Sequence, residues 1–378
     1  MALIPLFPQT YVSSRARFRA NLRKVQSLWP QARLESHALE AHPDLTIDWI
    51  WADARETPRH RVIVSAGEHG VEGYVGSAML QVFIERFLPW VNPDDTGLLL
   101  VHGMNPWGMA NFRRVNPNNV DLNRNFLAPD FFARSREAVN PDYATLNHLL
   151  NPSGEVRSYT RESLRWRAKV LKALISPGEA ALRAATLLGQ YRFPKGIYYG
   201  GDAPQEETGV MMALCRQAWR GYERITHVDI HTGYGPRGQM TIVNSLLEAR
   251  TPESLKKAFD YPYVVTTEPG EFYTIHGDMM DWVYRTLAQE DRDVDAYSAT
   301  FEFGTLGAGT LAGVRSLQAL VFENRAFWYG ASEDARARIH DEFLALFYPQ
   351  DAAWQRQAVA QAERAFAGIL RARGVPVP

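Results

Sequence analysis

One run of residues constrains this chain more than any other. The segment 61-RVIVSA-66 meets Gly67 and Gly70 and passes at once into a helix-period stretch. A short apolar run without alternation belongs inside a sheet covered on both faces. Val71, Val75, Ala78, Leu80, Phe83 and Phe87 then fall roughly on one helical stripe, and 98-LLLV-101 supplies the next buried-strand pattern. Strand, glycine turn, helix, strand predicts a βαβ unit, which implies a right-handed crossover and a parallel sheet. Upstream, Leu45, Ile47, Trp49 and Trp51 alternate with Thr46, Asp48 and Ile50, the pattern of a half-buried strand. Strand patterns resume at 225–230, 240–243, 263–266 and 297–303.

The remaining segments are organised around that core. Residues 1–44 read as a polar, helix-prone lead-in. Residues 128–190 read as an Arg-rich helical insertion, and 331–378 as C-terminal amphipathic helices. No repeat, low-complexity tract or Gly/Ser linker divides the chain, so one α/β domain over 1–378 is expected. Forty-one Lys+Arg against forty-two Asp+Glu leave a net charge of −1, which supplies no field for gathering nucleic acid or coating an anionic membrane. The apolar runs fall far short of the ~20 residues a bilayer span needs, and the first residues lack the pattern of an export signal. Cys215 is the one cysteine, so no internal disulfide can form. The expectation is a cytoplasmic protein without nucleic-acid or membrane partners.

Chemistry concentrates in four places. In 67-GEHGVEG-73, His69 and Glu72 stand three apart where a strand becomes a helix, so one turn can offer both to a metal ion. His37 and Glu40 repeat the spacing in SHALEAH but follow no buried strand, and they read as a solvated helix face. In 225-ITHVDIHTGYG-235, His231 sits where a strand gives way to a glycine loop, the end of an α/β sheet at which ligands bind. Two histidines and a carboxylate leave a coordination position open, the pattern of a catalytic zinc. His227 lies two strand steps further in and reads as a core histidine, while Asp229 reads equally as a ligand-orienting group or a hydrogen-bonded strand-end carboxylate. In 113-RRVNPNNVDLNRNF-126, Arg113, Arg114 and Arg124 are costly to bury without anionic partners, and a guanidinium pairs well with a carboxylate. In 298-SATFEFGTLGAG-309, Glu302 stands between Phe301 and Phe303, where desolvation should raise its pKa and suit it to proton transfer.

Taken in that order, these segments resemble the zinc carboxypeptidases of carboxypeptidase A type, in particular their bacterial branch, over roughly residues 45–310. The resemblance implies a mixed, mostly parallel twisted sheet of about eight strands flanked by helices. It implies one Zn²⁺ ion held by His69, Glu72 and His231, with Asp121 hydrogen-bonded to a zinc-bound histidine. Glu302 would be the general base, Arg114 the oxyanion stabiliser, and Asn123 with Arg124 the grip on a substrate's terminal carboxylate. The segment 272-FYTIHGDMMDWVYR-285 is similar to the family's mobile flap: Tyr273 would close over substrate, and Met280 would lie near the side-chain pocket. The substrate class implied is a peptide or amino-acid conjugate with a free carboxylate. His276 stands where the family has a small residue, and the long helical stretch before His231 departs from the digestive enzymes. Deacylases of the aspartoacylase and succinylglutamate desuccinylase type share the HxxE, DLNR and DIHT-like elements, so N-acyl amino acid hydrolysis is the alternative. A peptide-tail binder without catalysis is a third expectation.

Overall fold

The computed structural model describes residues 6–134, 139–178, 181–182, 185–186, 188–266, 276–290 and 293–377. Among them one eight-stranded sheet is built from β1 (Arg33–Leu39), β2 (His42–Ala52), β3 (His60–Ala66), β4 (Thr96–His102), β5 (Arg224–Thr232), β6 (Met240–Asn244), β7 (Val264–Thr266) and β8 (Asp295–Phe303). The spatial order is β1-β2-β4-β3-β5-β8-β6-β7. Its centre, β4-β3-β5-β8, is parallel, whereas β1–β2, β2–β4 and β8–β6 pair antiparallel and β6–β7 pair parallel. The expected mixed, mostly parallel sheet of about eight strands is present.

The helices are α1 (Tyr11–Ala20), α2 (Leu22–Gln26), α3 (Gly73–Arg86), α4 (Pro106–Ala110), α5 (Pro129–Arg134), α6 (Pro141–Leu150), α7 (Tyr159–Ala173), α8 (Glu206–Ala218), α9 (Pro252–Phe259), α10 (Met279–Gln289), α11 (Thr310–Tyr329), α12 (Glu333–Phe347) and α13 (Ala352–Ala372). On β3, Val62 and Val64 enter the core shared with α1, α3, α9 and α13, while Ile63 enters the opposite core under α8 and α10. That is why 61–66 shows no alternation: both faces are covered. The helix α3 is buried from Gly73 through Ile84, not along a single stripe, because the sheet lies on one side and α1 and α13 on the other. A Cβ at Gly76 would come within 2.5 Å of the Ala66 Cβ, so this glycine lets α3 lie directly on β3.

Two sequence expectations need correction. The lead-in is not wholly helical, because β1 lies within it as a hairpin partner of β2. His37 and Glu40 are therefore not on a helix: His37 is on β1 and Glu40 in the hairpin turn, both tied to Glu206 at the start of α8. Arg33, Glu35 and His37 do alternate with Leu34, Ser36 and Ala38, but over only seven residues, and pairing with β2 decides the conformation. Residues 128–190 carry α5, α6 and α7, and α6 and α7 share an apolar core with α11 and α12. No helix among the described residues is long and apolar enough to cross a membrane.

Two histidines away from His69 and His231 make the fold sensitive to acid. His60 is buried against Thr226 Oγ1 at 2.8 Å, and His102 is buried against Ser14 Oγ at 2.7 Å and stacked on Phe18. Burial first, and neighbouring arginines second, lower His60 to about 3; burial above all lowers His102 to about 4. The unfolded chain takes up these protons near the ordinary value of 6.5 and the folded chain does not, so stability is lost as pH falls from about 6.5 to about 4. We expect urea unfolding to show this loss. In His102→Gln the slope over the same window should be shallower by up to about 1.4 kcal/mol per pH unit; an unchanged slope would refute the assignment.

Candidate metal centre

The centre is assembled at the carboxyl ends of the parallel strands. After β3 the chain turns through Gly67, whose φ of +83° lies in the left-handed region, and delivers Glu68 and His69 before Glu72 caps α3. Gly70 N donates to the Arg114 carbonyl at 3.1 Å and Val71 N to the Arg113 carbonyl at 2.9 Å, which fastens the arginine loop onto this turn. A Cβ at Gly70 would lie 2.1 Å from the Gly108 carbonyl carbon, so only glycine fits at position 70, directly after His69. On the adjacent parallel strands β5 and β8, His231 is in register with Glu302.

His69 and His231, 162 positions apart, have ring centroids 5.0 Å apart at an interplanar angle of 80°. Glu72 lies between them. Its Oε1 is 2.9 Å from His69 Nδ1 and its Oε2 3.5 Å from His231 Nδ1, and the backbone N–H of Thr232 donates to Oε2 at 2.7 Å. The far nitrogens are anchored by other carboxylates. His69 Nε2 pairs with Asp121 Oδ1 at 2.9 Å, and His231 Nε2 pairs with Asp229 Oδ2 at 2.5 Å. In the neutral ring, a proton held at Nε2 would leave the Nδ1 lone pair turned toward Glu72, which is how backing carboxylates orient metal-binding imidazoles. His69 Nδ1 is fully buried and has no hydrogen bond.

Glu68 was not anticipated. It is 1% exposed, its Oε2 is 3.1 Å from His231 Nε2, and neither carboxylate oxygen receives a hydrogen bond of good geometry. Among the described residues, Glu68, His69 and His231 are the group whose ligand atoms all lie within 4.8 Å of one another and that could hold a metal ion. The two carboxylates approach from different sides, Glu72 along both Nδ1 atoms and Glu68 at His231 Nε2, which Asp229 already occupies. Glu68 had only one signal in the sequence, its place beside His69 in a glycine-bounded turn.

The electrostatics follow from burial and contact. Burial alone would raise the Glu72 carboxyl, but the two imidazoles override it and hold it at about 2. Burial likewise works against the charged forms of Asp121 and His231. Even so, Arg114 holds Asp121 well below its ordinary range, and Asp229 with Glu68 and Glu72 raises His231 well above its own. Glu302 goes the other way: burial, with Glu72 adding repulsion, raises it to about 7. Its Oε1 accepts the Tyr234 N–H at 2.9 Å.

The structure gathers most of the residues singled out in the sequence. Arg114 ion-pairs with the second oxygen of Asp121, lies 3.9 Å from Glu72 Oε1, and stacks over Tyr198. Arg113 turns away to Glu323 and Asn324. Asn123 Oδ1 accepts the Met279 N–H at 3.2 Å; Arg124 is 4% exposed and hydrogen-bonded to the Asn123 carbonyl, with Gly189 against its side chain. His227 is a core histidine between Ser65 and Ser298, and Ser65 links it to Asp229. Met280 is buried in the core on α10, where its sulfur accepts the Ser298 hydroxyl. His276 packs beside Phe131, and Tyr273 lies outside the described residues.

Comparison with curated proteins finds no match. Solved structures similar to this chain include bovine thrombin-activatable fibrinolysis inhibitor in complex with tick carboxypeptidase inhibitor, at 14% identity, TM-score 0.45, covering 90% of this chain and 99% of that one. A metallo-carboxypeptidase from Burkholderia cenocepacia aligns at 16% identity and TM-score 0.40, covering 88% and 67%. A protein from Shewanella frigidimarina, provisionally described as a succinylglutamate desuccinylase/aspartoacylase, aligns at 16% identity and TM-score 0.37, covering 79% and 72%. Residues 7–361 match the model of the family described as protein of unknown function, DUF2817, and the chain belongs to that family.

Proposed function

We propose that the protein is a zinc-dependent hydrolase that cleaves the amide bond next to a free carboxylate, releasing a C-terminal residue from a peptide or conjugate. One observation carries this reading: two buried imidazoles turn Nδ1 toward a shared carboxylate while separate carboxylates hold their Nε2 atoms. His69, Glu72 and His231 would hold the ion, a fit supported by the unsatisfied, fully buried Nδ1 of His69. Bound there, zinc would act as a Lewis acid that polarises a carbonyl and acidifies water.

The other roles belong to the chain's own groups. Glu302, raised to about 7 and partly open to the site, takes a proton at its carboxylate and returns it to the departing amine. Arg114, held in place by Asp121, directs its remaining N–H groups at the oxygen that becomes negative. Asn123 and Arg124 grip the substrate carboxylate. Asp121 and Asp229 act through the imidazoles they orient.

A second reading has its own support. Arg124 is buried, with Gly189 against its side chain and the Tyr191 hydroxyl on its carbonyl, and covered ground of this kind suits a small N-acyl amino acid better than a long chain. A panel of benzoyl dipeptides set against acetylated and succinylated amino acids separates the two readings. Turnover of the acylated amino acids alone would replace the peptidase reading with a deacylase.

Glu302→Gln should retain zinc but lower kcat by about 10³-fold, since water activation and proton delivery fail together. If activity persists in that variant, the assigned base is wrong; if the wild type binds peptide tails without turnover, the protein is a binder. Arg124→Ala should raise KM by about 10- to 100-fold for substrates with a free carboxylate and leave amidated ones little changed. Equal damage to both would remove the grip from Arg124. Chelation should lower the Tm and added zinc should restore it, because an ion bound only by the folded chain stabilises it by about 4 kcal/mol at a thousandfold excess over Kd. A Tm indifferent to both would count against a bound ion.

A further inference from the structure

A cavity of about 420 Å³ lies apart from the metal centre, between the 192–196 loop and α11. None of the residues assigned above to metal, base or carboxylate grip lines it. Its walls carry three cations, Arg192, Lys195 and Arg325, and no Asp or Glu, on a chain whose net charge is −1. Arg325 is neutralised by Glu162 at 2.6 Å. Among the described residues, Arg192 and Lys195 have no carboxylate at ion-pairing distance; their guanidinium and ammonium rest against Phe193 and Trp328. Two solvent-exposed cations facing one concave space, unpaired with any carboxylate among the described residues, favour an anion there.

The loop that presents them is fixed in advance. Gln190 Oε1 accepts the N–H groups of Arg192 and Phe193, and its Nε2 donates to the Phe193 carbonyl. Asn119 donates to the carbonyls of Pro194 and Gly196, and Asn324 donates to that of Lys195. Arg113 in turn donates to Asn324 Oδ1. This accounts for Arg113 and Asn119, two residues of the 113–126 segment that the metal centre leaves unused. With the carbonyls of Phe193 through Gly196 engaged, the loop offers a ligand the side chains of Arg192 and Lys195. Such prior ordering lowers the entropy cost of binding. The volume falls within the range of small-molecule sites, and Phe193 and Val321 give the wall an apolar part.

We infer that this cavity binds a small molecule bearing an oxyanion, phosphate or carboxylate, on an apolar or aromatic body, with Arg192 and Lys195 as the anion contacts. A guanidinium fork accepts either oxyanion. Isothermal titration of the full chain with phenyl phosphate, benzoate and the neutral control phenol tests it, with wild type set against Arg192→Gln, Lys195→Gln and the double variant. Both residues are exposed, and unfolding without ligand should show the variants as stable as wild type. Saturable binding of phenyl phosphate or benzoate, absent for phenol, is expected, and which of the two binds identifies the oxyanion. Each single variant should weaken Kd by about tenfold and the double variant should lose binding. No saturable binding of either anion, or the same Kd in the double variant, would overturn the inference; the latter places the anion at Arg114, Arg124 or the metal centre instead.

Discussion

The structure depends on a row of buried charges that can exist only together. Glu72 lies between His69 and His231, Asp121 and Asp229 stand behind the imidazoles, and Arg114 closes the row by pairing with Asp121. Each of these groups taken alone would lose several kcal/mol on leaving water. Removing one partner of a buried pair typically costs about 3–5 kcal/mol, because the other is left charged and dry. The scaffold meets that demand with rigid supports: Gly70 allows the turn to touch the 108–109 backbone, and Thr232 N–H fixes Glu72. A pure stability role would be served as well by apolar packing, so the row points to chemistry.

Most of this was legible in the sequence because each key residue sits at a strand end. His69, His231 and Glu302 close β3, β5 and β8, three strands adjacent in space, and a parallel sheet brings such ends together whatever their separation in the chain. The arginines of 113–126 were legible from cost: buried guanidinium groups need acidic partners, and Arg113 and Arg114 have them. The contrast between His69/Glu72 and His37/Glu40 shows what spacing alone omits. One pair is buried at a strand-to-helix turn; the other spans an exposed hairpin.

What escaped the sequence did so for identifiable reasons. Glu68 points inward because Gly67 takes a left-handed conformation, and no pattern of residue types reveals which side of a tight turn faces the site. β1 is a seven-residue edge strand whose Arg33, Glu35 and His37 share one face and Leu34, Ser36 and Ala38 the other, an alternation too brief to stand out from the polar lead-in, and hydrogen bonds to β2 set its conformation. The all-round burial of α3 reflects a second layer, α1 and α13, drawn from the two ends of the chain. The cavity under the 192–196 loop depends on amide side chains from three separate segments, a juxtaposition without a local signature.

The central claim is that two imidazoles separated by 162 positions share one ion through Nδ1. X-ray absorption at the zinc edge on stoichiometrically loaded protein reads this directly. The account requires two imidazole nitrogens at about 2.0–2.1 Å, with the outer-shell scattering of two rings, and carboxylate or water oxygens completing the shell. An oxygen-only shell, or the signature of a single imidazole, would contradict it.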